Sequence, residues 1–157
     1  MENNERIQKQ YELIEKIGVL FEQEGMQPVA ARILGLLMVS DNEEQTFDEI
    51  RETLKISKSA ASNGINLLLN VHAIEYITRL GDRKRYFRLK DRDVTSMIKE
   101  RLEFSLKLAG CFKEVVTLKK DKNAPSCERF NEYCSFSNYL YKNFSKFIKD
   151  WEEIKKK

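Results

Sequence analysis

The sequence predicts a mainly α-helical fold that contains a helix-turn-helix, one small β-hairpin and long flanking helices. Apolar residues recur every three or four positions over most of the 157 residues, which is the period of a helix. The period changes to two only around residues 74–90, and two short helices near residue 56 are joined by a few residues. This length suffices for a real hydrophobic core in one domain with helical extensions.

The first two helices differ in how much of their surface is apolar. Residues 5–24 carry Glu and Lys between the members of a one-sided apolar stripe, which are Ile7, Tyr11, Ile14, Ile17 and Phe21. Gly25 and Pro28 mark the end of this helix. Residues 29–40 are nearly uncharged, so we expect a second helix that is buried on most of its sides.

Two short helices then form the helix-turn-helix. Thr46 is the expected N-cap of the first helix, and Glu49, three residues on, is its capping-box partner. This helix ends at about Lys55, and either Ser57 or Ser59 caps the second one. A connection this short between two helices is typical of a helix-turn-helix.

A hairpin and two longer helices complete the chain. Two β-rich runs, residues 74–79 and 85–90, surround a polar turn with Gly81, so the whole order is that of a winged helix-turn-helix. The helical period returns over about residues 94–115, and an aromatic-rich helix covers about 127–154. We expect three regions: an N-terminal dimerisation helix (1–26), the winged helix-turn-helix (27–92) and a C-terminal helical region (93–157).

The net charge of +3 conceals a basic segment in the middle of the chain. Residues 1–50 hold 4 basic and 11 acidic side chains, residues 51–90 hold 9 and 3, and residues 91–157 hold 15 and 11. The central segment, with a net charge of +6, coincides with the helix-turn-helix and hairpin. Such a concentration is typical of a surface that faces phosphates.

The second helix of the helix-turn-helix has two distinct faces. One is apolar, with Ala61, Ile65, Leu68 and Leu69, and the other carries small uncharged side chains, namely Ser59, Ser62, Asn63 and Asn66. Short side chains let a helix lie deep in the DNA major groove, where Asn pairs with adenine, and Gly64 favours the same close approach. The predicted DNA contacts are Ser57, Lys58, Ser59, Ala60, Ser62, Asn63 and Asn66. The alternative is a polar helix face that is buried against another helix.

The hairpin tip supplies positive charge next to this helix. Its cations Arg83, Lys84 and Arg85, together with Arg79, are predicted to reach the minor groove or the phosphates. A solubilising loop is the alternative, but the tip directly follows a polar helix of the right size for a groove.

Residues 46–89 closely resemble the winged helix-turn-helix of MarR-type transcriptional regulators. The preceding segment is similar to the GbsR-type branch in a stretch that contains Gly25, Pro28, Ala31, Arg32, Ile33 and Gly35. From residue 91 onward only the helix pattern agrees. The resemblance implies a homodimer joined by its terminal helices, with residues 57–66 as recognition helix and 79–85 as wing. Related members repress genes for osmoprotectant synthesis or uptake, and some respond to choline.

The flanking helices have more apolar surface than the DNA-binding core can cover. A homodimer would bury this surface, and the predicted interface residues are Ile7, Tyr11, Ile14, Phe112, Phe144 and Trp151. The alternative is a compact monomeric bundle. Eight of the 16 aromatic residues lie after residue 125. We expect them to form core or interface contacts, and the alternative is a cage that binds a quaternary ammonium effector such as choline. We expect Cys111, Cys127 and Cys134 to be buried and reduced, the alternative being a redox sensor.

These observations predict a homodimeric, sequence-specific DNA-binding transcriptional regulator without a cofactor, acting as a repressor on double-stranded DNA. A winged-helix adaptor that binds a protein and does not read DNA is the alternative. We expect no enzyme, because the sequence has no nucleophile–base pair, phosphate loop or metal-ligand spacing. With no apolar run long enough for a membrane span, no secretory signal and three cysteines without a CxxC pair, we expect a cytoplasmic protein.

Overall fold

The computed structural model describes residues 2–155 and the side chains of residues 4–155. Its elements are α1 (Glu2–Gln23), α2 (Pro28–Val39), β1 (Gln45–Thr46), α3 (Phe47–Thr53), α4 (Lys58–Asn70), β2 (Ile74–Thr78), β3 (Arg85–Leu89), α5 (Val94–Leu118) and α6 (Pro125–Lys155). The predicted fold class is confirmed, because the protein is mainly helical and has one small antiparallel sheet that contains the hairpin of the wing. The outer ends of the predicted first and last regions, residues 1, 156 and 157, lie outside the described residues.

The chain consists of two compact units, residues 1–91 and 92–157. The expected boundary at residue 26 has no counterpart, because α1 packs along α2 within the first unit. The N-terminal helix is therefore part of the winged unit.

Small residues and one arginine hold α1 against α2. A Cβ on Gly35 would lie 3.0 Å from the backbone oxygen of Ile14, so the two helices approach closely at this point. Arg32 extends from α2 over Gly18 and forms ion pairs with Glu15 and Glu22 of α1. These hydrogen bonds and charges raise the pKa of Arg32 above its ordinary value. Gly35 and Arg32 of α2 thus contribute directly to the contact with α1.

The core of the first unit lies where α2 meets α4 and the sheet. Seven of the twelve residues of α2 are buried, which confirms the expectation of a helix enclosed on most sides. The largest fully buried side chains of this unit are those of Ile33, Ile50, Leu68 and Ile74, each at 2% exposure or less. Burial of this kind stabilises by roughly 1.5–3 kcal/mol per side chain.

Both predicted N-caps of the helix-turn-helix are present. The Thr46 hydroxyl accepts a hydrogen bond from the Glu49 N–H at 3.3 Å, while the Glu49 carboxylate accepts from the Thr46 N–H at 2.6 Å. This is the reciprocal capping box that the sequence predicts. Ser57, one of the two alternatives, caps α4 by accepting from the Ala60 N–H at 3.2 Å.

Both helices end in a left-handed residue that is not glycine. Lys55 follows α3 with a φ of 52°, and His72 follows α4 with a φ of 56°. The next N–H in each case donates to the carbonyl five residues back, at 3.1 Å and 2.9 Å respectively. These bonds satisfy carbonyls that the helix end leaves without partners, which offsets the cost of the left-handed conformation.

The sheet has three antiparallel strands in the order β1-β3-β2. The predicted hairpin is present, with Tyr76 opposite Phe87 and Thr78 opposite Arg85. Strand β1 was not predicted, because its two residues become a strand only by pairing with Tyr86 and Phe87, about forty positions further along the chain. This strand ties the start of α3 to the base of the wing.

The second unit is an antiparallel pair of long helices. Phe112 of α5 stacks on Phe130 of α6 with ring centroids 4.5 Å apart, and further along Ser105 contacts Ser137 at 2.8 Å. Cys134 lies between these contacts and donates its thiol to the Ala109 carbonyl at 3.2 Å. Aromatic rings and short hydroxyl side chains therefore set the register of the pair.

Candidate nucleic-acid interface

Helix α4 presents its small polar side chains to solvent. Its inward face consists of Ala61, Gly64, Ile65 and Leu68, all buried. Among the predicted contacts Ser57, Lys58, Ser59, Asn63 and Asn66 are exposed, and Ala60 and Ser62 are half-buried. The alternative of a polar face buried against another helix is therefore wrong for the exposed residues.

Gly64 serves packing rather than close approach to DNA. It is buried on the inward face, where an added Cβ would lie 2.7 Å from the Cδ1 atom of Ile33 and 3.2 Å from Val29. The absence of a side chain thus lets α4 approach α2. The close approach that the sequence predicts at Gly64 is therefore present, but it is made to α2.

The wing tip carries three exposed cations. Strand β2 ends at Thr78 and strand β3 begins at Arg85, and the turn between them passes through Gly81 with a φ of 81°. Arg83, Lys84 and Arg85 are all exposed, and the guanidinium of Arg85 lies 4.6 Å above the ring of Tyr76. The stacking holds Arg85 along the strand and leaves its charge accessible.

Arg79, the fourth predicted wing contact, interacts within the protein. Its Nη2 atom donates to a carboxylate oxygen of Glu44 at 2.7 Å, and its guanidinium lies 4.1 Å from the centre of the Tyr86 ring. The hydrogen bond to Glu44 is the main cause of a raised Arg79 pKa. Arg79 therefore differs from the three cations of the tip, since its charge is already matched by a carboxylate.

A cleft of about 370 Å³ connects α4 to the wing tip. Ser62, Asn66 and Leu69 of α4 line one side, and the three tip cations line the other. The start of α3, from Thr46 to Asp48, also lines this cleft, as does Phe87 of β3. The fold thus brings together two groups of predicted site residues that are about twenty positions apart in the sequence.

The chemistry of this cleft suits a nucleic acid. Amide and hydroxyl side chains can exchange hydrogen bonds with base edges, and the neighbouring cations can neutralise phosphates. Asp48 is the acidic residue of the lining, and its carboxylate lies 3.7 Å from the guanidinium of Arg51. The cleft therefore combines polar side chains of the base-reading type with an excess of positive charge.

Sequence reasoning missed three residues that form contacts in or beside the wing: Glu44, Asp82 and Tyr86. The Asp82 carboxylate accepts from the Lys84 N–H at 2.9 Å and from the Tyr86 hydroxyl at 2.6 Å. A Gly-Asp pair in a turn is a signal for the first of these bonds, because Asp side chains often bond the backbone two residues on. No local pattern reveals the second bond or the ion pair of Glu44.

The predicted dimer-interface residues fall into two groups. Ile7, Tyr11 and Trp151 are exposed, with 42%, 43% and 45% of their surface accessible. Ile14 is only 4% exposed and packs in the core of the first unit, so its assignment to an interface is wrong. Phe112 contacts Phe130 and Tyr133 within the second unit, and Phe144 is half-buried.

The cysteines and aromatic side chains of the second unit differ in how exposed they are. Cys127 and Cys134 are buried, as expected, whereas Cys111 is exposed, contrary to expectation, and all three are free thiols. The rings of Phe112, Phe130 and Tyr133 fill the space between α5 and α6 themselves. Four large aromatic side chains of α6 are exposed instead: Phe136, Tyr139, Phe147 and Trp151.

The described part of the chain has neither a cluster of metal-binding side chains nor a membrane-spanning helix. Among its His, Cys, Asp and Glu residues, no group of three is placed to hold a metal ion. No helix within residues 2–155 combines the length and apolar character needed to cross a membrane.

Comparison with known proteins points to one class of function. No protein-family model matches the sequence. The chain is 33% identical over 91 residues to the HTH-type transcriptional regulator MmpR5 of Mycobacterium tuberculosis, a match that covers 58% of this chain and 55% of that protein. The match thus spans about half the length of this curated relative. A crystal structure described as that of a transcriptional regulator superimposes with a TM-score of 0.72 and 25% identity, over 92% of this chain and 99% of the other.

The chain is thus similar in sequence to part of a helix-turn-helix transcriptional regulator and in fold to a transcriptional regulator. The likeness to the solved structure extends over both units, whereas the sequence match is confined to part of the chain. The matching fold agrees with a mainly helical protein that carries a small antiparallel sheet.

Proposed function

We propose that the protein is a homodimeric, sequence-specific DNA-binding regulator of the MarR type, in its GbsR-like branch, and that it represses transcription. The observation that carries this proposal is the cleft in which Asn66 and Ser62 of α4 face the cations Arg83, Lys84 and Arg85. A helix with amide side chains beside a cationic hairpin is suited to simultaneous contact with a major groove and the adjacent backbone.

The role of α4 follows from its exposed composition. From Ser59 to Asn70 the helix has no charged side chain, although exposed helix faces usually carry many. Asn63 and Asn66 are exposed and lie three residues apart, so both point to the same side. An Asn side chain can bond the N6 and N7 atoms of adenine together, which is a base-specific contact. We assign base reading to these two residues.

The wing has the complementary role of binding the backbone. Contacts from its cations release counterions from DNA, so they strengthen binding to every sequence and make it salt-dependent. Because Arg79 is bound to Glu44, we assign this role to Arg83, Lys84 and Arg85. The acidic N-terminal third of the chain contributes α1 and α2, which are better suited to face away from DNA.

Dimerisation is supported by apolar side chains that the described residues leave uncovered in each unit. In the first unit Ile7, Tyr11 and Leu20 of α1 are 42–56% exposed, and in the second Phe136 and Phe147 of α6 are 59% and 65% exposed. Pairing with a second copy would remove this surface from water, and two-fold symmetry is the commonest arrangement of soluble oligomers. Such a dimer would set its two α4 helices about 34 Å apart, which is one turn of DNA. A bound dimer would repress by excluding polymerase.

The experiment that tests the proposal is selection of genomic DNA fragments by the purified protein, followed by binding assays on the selected site. Asn63→Ala and Asn66→Ala should each weaken binding to that site by roughly 1–3 kcal/mol, with little change on random DNA. Lys142→Gln, at an exposed position on α6, is the control and should leave both affinities unchanged.

Two outcomes would contradict parts of the proposal. Equal losses on selected and random DNA would remove the base-reading role of the two asparagines. If no duplex binds even at low salt, the winged unit is a protein-binding adaptor instead.

A small-molecule effector is a separate part of the proposal. The exposed rings of α6 can attract a quaternary ammonium ion by cation–π interaction once a second copy encloses them. Isothermal titration of the purified protein with choline and betaine tests this idea. Measurable heat that disappears in Trp151→Ala would support it, and no heat with either compound would contradict it.

A further inference from the structure

The tip of the wing is shaped by a single carboxylate. One oxygen of Asp82 accepts the Lys84 N–H at 2.9 Å, and the other accepts the Tyr86 hydroxyl at 2.6 Å. The Asp82 N–H donates in turn to the Arg79 carbonyl at 3.1 Å, and this bond spans the left-handed Gly81. Asp82 is thus bonded on both sides of the turn that carries Arg83 and Lys84.

The partner of this carboxylate is itself held in place. The ring of Tyr86 lies 4.1 Å from the guanidinium of Arg79, and that guanidinium donates to Glu44 at 2.7 Å. The Glu44 side chain is only 22% exposed and lies in the loop before β1, outside the hairpin. Contacts therefore run from that loop through Arg79 and Tyr86 to Asp82 at the tip.

We propose that Asp82 and Tyr86 are positioning residues for DNA binding, which hold the wing tip so that Arg83 and Lys84 point into the cleft beside Asn66. This inference rests on the proposed function. The hydrogen bonds fix the turn before DNA arrives, so less conformational entropy is lost when the two cations bind phosphates.

Asp82 would otherwise oppose DNA binding. It is an acidic residue among four cations of the wing, and its negative charge repels phosphates. If charge alone mattered, removing it would strengthen binding to all DNA. If Asp82 positions the tip, removing it weakens binding even though the protein becomes more positive. The two explanations therefore predict effects of opposite sign.

The experiment compares Asp82→Asn with Asp82→Ala, since the two variants have the same charge. Asn keeps an oxygen that can accept the Lys84 N–H, whereas Ala keeps neither bond. We expect Asp82→Ala to bind the selected DNA about fivefold more weakly than the wild type and Asp82→Asn about twofold more weakly. Glu43→Gln is the charge-matched control, because Glu43 is exposed in the loop before β1, and it should bind as tightly as the wild type or slightly more tightly.

Tyr86→Phe removes the second bond without changing any charge. We expect about threefold weaker DNA binding and only a small change in the melting temperature, since a single hydrogen bond of a half-buried side chain is lost. An independent readout is the tyrosine pKa, because the bond to Asp82 raises the pKa of Tyr86. The absorbance titration of Tyr86 is the one that disappears in Tyr86→Phe. In Asp82→Asn this titration should move to lower pH, because the carboxylate that raises the pKa is gone.

The possible results separate this inference from the function on which it rests. Failure of the wild-type protein to bind DNA would contradict the proposed function. Wild-type binding with equal or tighter binding by both Asp82 variants would overturn the positioning role and leave the proposed function intact. Equal losses in Asp82→Ala and Glu43→Gln would likewise overturn it.

Discussion

The two units of the chain bury their apolar side chains to very different degrees. In the winged unit, Ile33, Ile50, Leu68 and Ile74 are at most 2% exposed and form one core. In the second unit, helices of 25 and 31 residues leave large side chains uncovered, such as Leu118 at 84% and Phe147 at 65%. The comparison teaches that the first unit encloses a core of large side chains, whereas the described part of the second unit leaves many of its large apolar side chains exposed.

The largest expected effect is on the free energy of unfolding, when a large side chain is removed from one unit or from the other. Leu68→Ala, in the fully buried core, should lower the free energy of unfolding by about 3 kcal/mol, because it leaves a cavity. Phe147→Ala, at an exposed position, should change the unfolding free energy of the dissociated monomer by less than about 0.5 kcal/mol. Denaturant titration at low protein concentration measures both values. Similar losses in both variants would contradict the contrast.

The next prediction concerns the uncovered face of α6. Phe136→Glu combined with Phe147→Glu places two charges on a surface that we propose to be buried between copies, so the dimer should dissociate about 100-fold more readily. Lys142→Glu with Lys149→Glu, at exposed α6 positions that helical spacing places away from Phe136 and Phe147, is the control and should leave the dimer intact. Sedimentation over a range of concentrations measures the effect. A dimer that tolerates the Phe substitutions is joined elsewhere, and a wild-type monomer would refute dimerisation itself.

A smaller effect is expected at the start of the helix-turn-helix. Thr46→Ala removes the N-cap of α3 and should cost about 1 kcal/mol of unfolding free energy.

The Thr46 N–H and hydroxyl lower the pKa of Glu49 below its ordinary value of 4.5, so the ionised carboxylate stabilises the fold above that pH. This contribution is lost as the pH falls through the lowered pKa. Glu49→Gln should therefore be less stable than wild type at neutral pH, with the difference vanishing in acid. A difference that persists there would contradict the assigned cause.

The parts of the fold that sequence reasoning predicted are those that depend on nearby residues. The capping box joins residues three apart, and the polar face of α4 follows from helical spacing alone. Strand β1 was missed because it exists only through pairing with β3, far along the chain. Ile14 was misassigned because an apolar residue on a stripe can face its own core or a second copy, and only the packing on α2 decides between them.

The candidate site shows the same division. Composition and spacing identified Asn66 and the cations of the wing tip, which the fold brings to one cleft. They did not distinguish Arg79 from its neighbours, because the ion pair with Glu44 joins side chains 35 positions apart. The bond of Tyr86 to Asp82 was missed because it needs the geometry of a hairpin turn.

The most direct test of the central claim is the salt dependence of DNA binding. Replacing Arg83, Lys84 and Arg85 together with Gln removes the proposed phosphate contacts, so the slope of log affinity against log salt should fall by roughly 3 per protomer. The control replaces Lys142, Lys146 and Lys149 of α6, which are also exposed, and loses the same charge. We predict a reduced slope for the wing variant and a wild-type slope for the control. Equal slopes in all three proteins would contradict a DNA interface formed by α4 and the wing.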